Sequence, residues 1–216
     1  MKKADEFASP PSDYNVIVPD GWFQLLLDPD DRDRAIVALA ERQFRGIDNA
    51  PRLKEQFMRE LQRKAREAYR AGGMELYLST LTIGPIPLAS SLLISMLSPD
   101  AWPQNLDVEA LAEHLLVLDA QKAEARERTG CLASELSVVE VVDLEAVGKA
   151  VRRRCREAPD PEHQLGNELP TTTLSYYVSI PATTSWLLMN FSTPMDPLAD
   201  KMVELFDVVA GTLHWG

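Results

Sequence analysis

Between residues 173 and 191 the chain carries a pattern that a paired strand can use. Leu174, Tyr176, Val178 and Ile180 alternate with Thr173, Ser175, Tyr177 and Ser179. Residues 181–185 turn the chain, and Leu187, Met189 and Phe191 return on one face. Successive side chains of a strand point to opposite sides, so period-two apolarity of this length marks an antiparallel hairpin with a buried face. A cover for that face is expected directly downstream. After Pro194 and Asp196-Pro197, the residues Leu198, Met202, Leu205, Phe206, Val209 and Leu213 recur at helical spacing as a broad apolar stripe.

Upstream, the same reading gives further strands and three helices. Tyr14, Val16 and Val18 alternate with polar Asn15 and apolar Ile17, Pro19-Asp20-Gly21 signals a turn, and residues 22–27 resume an apolar run, so a short hairpin or two sequential strands is predicted. The acids from Asp28 to Asp33 suit a helix start, where the macrodipole favours negative charge; Ile36, Leu39, Ala40 and Phe44 follow at helical spacing, and Gly46 can stop the helix. A second helix is expected from near Asn49, with Pro51 in its first turn. Its apolar face is Leu53, Phe57, Leu61, Ala65 and Ala68, its other sides are dense in charge, and Gly72-Gly73 ends it. Residues 74–83 and 88–97 read as strands joined by Gly84-Pro85-Ile86-Pro87. Leu76 and Leu78 lie on one side and Tyr77, Leu81 and Ile83 on the other, which suggests a sheet covered on both faces. Asn105 or Asp107 caps a third helix carried by Val108, Leu111, Ala112, Leu115 and Leu118. Residues 134–143 and 147–156 read as antiparallel neighbours, and 158–170 as an exposed loop. Residues 1–13 are polar, contain proline and have no apolar period, so they read as a mobile tail before a single domain at 14–216.

Charge narrows the function. Thirty-three Asp and Glu oppose 22 Lys and Arg in 216 residues, a net charge of −11, which argues against a nucleic-acid binder. Two cysteines are too few for a disulfide-stapled fold. No apolar run precedes Pro10-Pro11, so no signal peptide is read there. The longest uncharged stretches, 76–99 and 169–195, are broken by prolines and read as strand pairs rather than membrane spans. A cytoplasmic protein without membrane insertion is expected.

No motif announces a chemistry. His114, His163 and His214 lack metal-helix spacing. Counted as a calcium loop from Asp28, position 5 is Arg32, position 6 is Asp33 and position 12 is Leu39, so the match fails and helix capping explains the acids. There is no P-loop and no nucleophile elbow. Cys155 sits among arginines that would lower a thiol pKa, yet strand geometry leaves only Arg153 on its side, so a buried, inert thiol is expected. A Cys131–Cys155 disulfide is disfavoured in a reducing compartment. The sharpest charge feature is the basic run at 149–156. Lys149 opens it, and Arg152, Arg154 and Arg156 would line one strand face, spaced about 6.5–7 Å apart. Such a row suits an acidic partner or a phosphate-bearing ligand, or else pairing with the chain's own carboxylates.

Val18-Pro19-Asp20-Gly21-Trp22 before an apolar strand, Ser192-Thr193-Pro194 after the last strand, and the closing Leu205-Phe206-Asp207 helix resemble a group of actinobacterial proteins with a Mog1/PsbP-like fold. The resemblance implies an α/β/α sandwich and a role in binding partners; it implies no catalytic site and carries over no functional residue. The paired helices at about 30–72 depart from the minimal fold, and an insertion on a fixed scaffold is one place for a specific partner surface; an ordinary helical layer over the sheet is the other reading.

The expectation is therefore an α+β fold, an antiparallel sheet sandwiched between helical layers. Its function is expected to be that of a noncatalytic interaction or scaffold protein without cofactor or metal, binding another protein through the second helix and the row Lys149, Arg152, Arg154 and Arg156. A small-molecule binder with a cavity between sheet and helices, and an enzyme with a dispersed site, are the alternatives.

Overall fold

In the computed structural model, residues 9–46, 51–97, 106–128, 135–159 and 169–216 are described. The segments 1–8, 47–50, 98–105, 129–134 and 160–168 lie outside them. With them go the expected helix start at Asn49, the alternative cap Asn105, Cys131, His163, and most of the tail and of the long loop.

The sheet forms from the segments that alternate. The hairpin β9 (Thr171–Ser179) and β10 (Trp186–Thr193) lies near its centre, with Phe191 opposite Leu174 and Met189 opposite Tyr176. On its far side β10 pairs with β6 (Ser91–Leu97), then come β3 (Gly73–Ser79) and the edge strand β2 (Trp22–Leu26). Beyond β9 lie β8 (Gly148–Glu157) and the other edge strand, β7 (Glu135–Leu144). Every neighbouring pair in this seven-stranded sheet is antiparallel.

Both sheet faces are covered, as the two-sided apolarity of residues 74–83 and 88–97 implies. On one face Leu92, Ile94, Leu174, Tyr176, Val178, Leu187, Met189 and Phe191 meet Met202, Val203, Phe206 and Val209 of α4 (Ala199–Ala210). On the other, Val151, Tyr177 and Trp186 meet Leu111 and Leu115 of α3 (Val108–Arg128). Leu25, Leu27, Leu76 and Leu93, also on that second side, meet Ile36 of α1 (Pro29–Gln43) and Ala65 of α2 (Pro51–Arg70). The result is the helix–sheet–helix sandwich that the sequence suggests.

The helix ends follow their capping chemistry. Asp28 Oδ1 accepts from Asp30 N at 3.0 Å, so the acid run starts α1 with a side-chain cap. Asp107 Oδ1 accepts from Ala110 N at 2.7 Å and starts α3, whose polar continuation stays helical to Arg128. Gly72 closes α2 at φ +90°, where a Cβ would strike the Met96 carbonyl.

Three local features need the structure to settle them. Of the two readings of residues 14–27, two sequential strands form and the hairpin does not: β1 (Tyr14–Asn15) pairs with β11 (His214–Trp215) at the opposite end of the chain. Ile17 N donates to Thr212 Oγ1 at 2.8 Å and Gly216 N to Asp13 O at 2.9 Å, so the C-terminal segment supplies the hydrogen bonds a local hairpin would have made. Residues 74–83 and 88–97 do not run as two unbroken strands. A small separate hairpin, β4 (Thr82–Ile83) with β5 (Ile86–Pro87), interrupts them, and Ile83 is exposed rather than packed. Residues 196–198 form a short 3-10 turn, after which α4 begins.

Candidate functional site

Strand alternation sends Arg152, Arg154 and Arg156 of β8 to the α4 side of the sheet and Arg153 to the α3 side. There they find acids. Arg152 Nε and Nη2 donate to the two carboxylate oxygens of Asp207 at 2.8 and 2.9 Å, and its Nη1 donates to Glu140 Oε1 at 2.7 Å. Tyr176 OH also donates to Asp207, at 2.5 Å. Arg154 reaches Asp200 at 2.6 Å, and Arg156 holds Asp196 with two bonds of 2.9 and 3.1 Å. Lys149 Nζ donates to Glu109 on α3 at 2.5 Å. The row expected to face a partner is thus matched, charge for charge, by acids of α3, α4 and the 3-10 turn before α4, with Glu140 of β7 beside Arg152. The Arg152 side chain is only 14% exposed, whereas Arg154 and Arg156 remain 36% and 37% exposed.

An open cleft of about 520 Å³ lies beside this row, lined by Val138, Arg154, Cys155, Arg156, Thr172 and the start of α4. Cys155 is buried, and Arg154 and Arg156 project from the opposite face of its strand, as strand geometry requires. Among the described residues, the carboxyls with shifted pKa values all shift downward. Hydrogen bonding to Lys149 lowers Glu109, and hydrogen bonding to Arg156 lowers Asp196. Burial alone would raise Asp119, but hydrogen bonds from Arg153 and Ser137 outweigh it. Such groups stay charged at neutral pH and hold ion pairs; a general acid needs the opposite shift. Among the described residues no group of His, Cys, Asp and Glu is arranged to hold a metal ion. His114 stands on α3 and His214 on β11. Among the described residues no helix is long and apolar enough to cross a membrane.

The second helix presents the charge feature that the sequence reading left undivided. At 3.6 residues per turn, Arg52, Arg59, Arg63, Arg66 and Arg70 fall within an arc of about 60° and run about 27 Å along α2. The opposite side carries Leu61, Ala65 and Ala68, packed on α1 and the sheet. Arg63 pairs with Glu67 at 3.4 Å and Arg66 approaches Asp33 at 4.0 Å; among the described residues Arg52, Arg59 and Arg70 make no ion pair. Glu55 borders the stripe on one side and Glu60 and Glu67 on the other. The steps of seven, four, three and four residues were present in the sequence; counting charge without helical phase hides them.

No family model matches the chain, and no curated protein matches it. Among solved structures it is similar to LpqN, involved in cell envelope biogenesis of Mycobacterium tuberculosis, at 12% identity and TM-score 0.44, over 96% of this chain and 86% of that one. It is also similar to the Ran-binding protein Mog1p of Saccharomyces cerevisiae, at 9% identity and TM-score 0.39, over 65% of this chain and 78% of that one. The third is the cyanobacterial PsbP of Synechocystis sp. PCC 6803, at 12% identity and TM-score 0.41, over 94% and 86%. Two of the three bear the names of the fold that the sequence resembles; what each binds is a property of that protein.

Proposed function

We propose that this chain is a noncatalytic protein-binding domain, and that α2 docks an acidic helix of its partner. One observation carries the reading: an exposed stripe of arginines, partly unmatched, on a protein whose net charge is −11. The guanidinium fork favours bidentate carboxylate pairing over diffuse attraction. A helix with carboxylates at matching i, i+4 and i+7 positions offers a ridge as narrow as the stripe. The bordering glutamates disfavour a broad polyanion such as duplex nucleic acid or an anionic membrane, which would lie over them as well. Screening over about 8 Å at cellular salt lets the local field act against the sign of the whole chain. In this reading the β8 row of Lys149, Arg152, Arg154 and Arg156 holds α3, the 3-10 turn and α4 to the sheet, and α2 takes the partner.

The test is a photo-crosslinking residue at the exposed Gln56, used in the native cell. A defined acidic protein is expected to crosslink to wild type and to be lost in the Arg59→Glu/Arg63→Glu/Arg70→Glu variant. Lys149→Gln, at the β8 row, is expected to retain it. Purified, the pair should weaken at least about ten-fold on that triple reversal and should weaken further with added salt. A crosslink that survives the triple reversal in a folded protein overturns the reading, as does equal binding of duplex DNA or anionic vesicles.

A further inference from the structure

The helices α2 and α3 cover the same face of the sheet. Leu76 and Leu93, beneath the α1–α2 pair, turn to the side on which Val151, Tyr177 and Trp186 meet α3. The outer side of α3, opposite the buried Leu111 and Leu115, carries the sign opposite to that of α2. At 3.6 residues per turn, Glu109, Glu113, Ala120 and Glu124 fall within an arc of about 60°, an acidic stripe about 22 Å long. Glu113 is exposed and makes no ion pair among the described residues; Glu109 pairs with the exposed Lys149. Leu116 and Val117, 46% and 54% exposed, flank this stripe, so α3 is apolar on its outward side as well as on its packed one. Leu53 and Tyr69, also exposed, stand farther out on either side of the arginines of α2.

One side of the molecule therefore presents a basic helix and an acidic helix together, and a patch carrying both signs is complementary to itself. A two-fold axis between two such faces, parallel to the helices, sets α2 of each copy against α3 of the other, and the contact is made twice. The eleven-residue step from Glu113 to Glu124 equals that from Arg52 to Arg63 and from Arg59 to Arg70, so both acids meet an arginine at once. Two helices about 30 Å long and about 10 Å wide present about 600 Å² on each copy, about 1,200 Å² in all, more than the roughly 1,000 Å² of a specific interface.

We propose that the acidic helix docked by α2 is α3 of a second copy of this chain, which makes the protein an isologous dimer. This inference rests on the reading of α2 as a docking helix and names its partner.

The experiment is sedimentation equilibrium of the purified full chain. Wild type is expected to be a dimer whose dissociation constant rises at least about ten-fold between about 50 mM and about 500 mM NaCl. The Arg59→Glu/Arg63→Glu/Arg70→Glu and Glu113→Lys/Glu124→Lys variants should each be monomeric, because each sets like charge against like at both contacts. Mixed in equal amounts they should form a heterodimer, since the acidic α2 then meets the basic α3 and the two unaltered stripes meet as before. That rescue also shows that both variants are folded. A dimer that survives either reversal, or reversed variants that stay monomeric when mixed, overturns the proposal. So does a wild type that is monomeric at about 100 µM. If the crosslinker at Gln56 then captures a different acidic protein in the cell, the docking role of α2 stands and only its assignment to a second copy falls.

Discussion

Replacing Phe206 by Ala is expected to lower the unfolding free energy by about 3–5 kcal/mol. Phe206 is fully buried, stacks on Phe191 with ring centroids 4.9 Å apart, and meets Trp22 edge-on at 6.4 Å. It ties the C-terminal helix both to the central strand β10 and to the edge strand β2. The void left by the ring would be bounded by a sheet and a helix, neither of which collapses freely, so the cost should fall at the upper part of the large-to-small range. Urea unfolding of Phe206→Ala measures it. Val208→Ala, two residues on and 67% exposed, is the control and should change stability by less than about 0.5 kcal/mol. Equal midpoints for the two variants would show that α4 is an appendage.

Asp119→Ala is expected to cost about 3 kcal/mol. Asp119 on α3 receives two bonds from Arg153, at 2.7 and 2.6 Å, and a further one from Ser137 on β7. The two side chains are 15% and 13% exposed, the most enclosed ion pair among the described residues. Removing the acid strands a guanidinium between sheet and helix, whereas Arg153→Leu/Asp119→Leu removes both charges and should recover most of the loss. The pair also has a pH signature. Asp119 is held below its ordinary pKa in the fold, so its contribution is complete above the unfolded value and is lost as pH falls through the folded one. Wild type should therefore lose stability below about pH 4, and the double leucine variant should lose less of it there. Parallel acid titrations of the two proteins would rule this out.

Much of this molecule was legible because periodicity survives in a linear chain. Leu174, Tyr176 and Val178 alternate, Met202, Phe206 and Val209 step at helical spacing, and each pattern names the face that must be buried. Asp28 as the start of α1, with Asp107 as that of α3, was readable for a local reason: a cap bonds the backbone only two or three residues away. The 52, 59, 63, 66 and 70 stripe belongs to the same class, since helical phase alone reveals it.

The pairing of β1 with β11 was not legible. Both are two-residue strands, too short to carry a period, and their partners lie some 200 residues apart in the chain. The open cleft beside the β8 row gathers residues from β7, β8, β9 and the start of α4, and no local spacing encodes such a meeting. The sequence could show that Arg152, Arg154 and Arg156 share a strand face and that the chain has surplus acid. It could not say which acids stand opposite them, because Asp196, Asp200 and Asp207 reach that face only when α4 docks on the sheet.

The sequence by itself determined the main strands and helices, most of their buried faces and the layering, since these follow from the spacing of apolar side chains and the chemistry of caps. Tertiary structure alone decided which charges are paired within the fold and which stay on its surface. Arg152 and Arg59 are the same residue type; one lies under a helix that brings it Asp207, while the other lies on the side of α2 that nothing among the described residues covers. Net pairing depends on distances of a few ångströms between segments far apart in sequence, and those distances exist only once the core has closed.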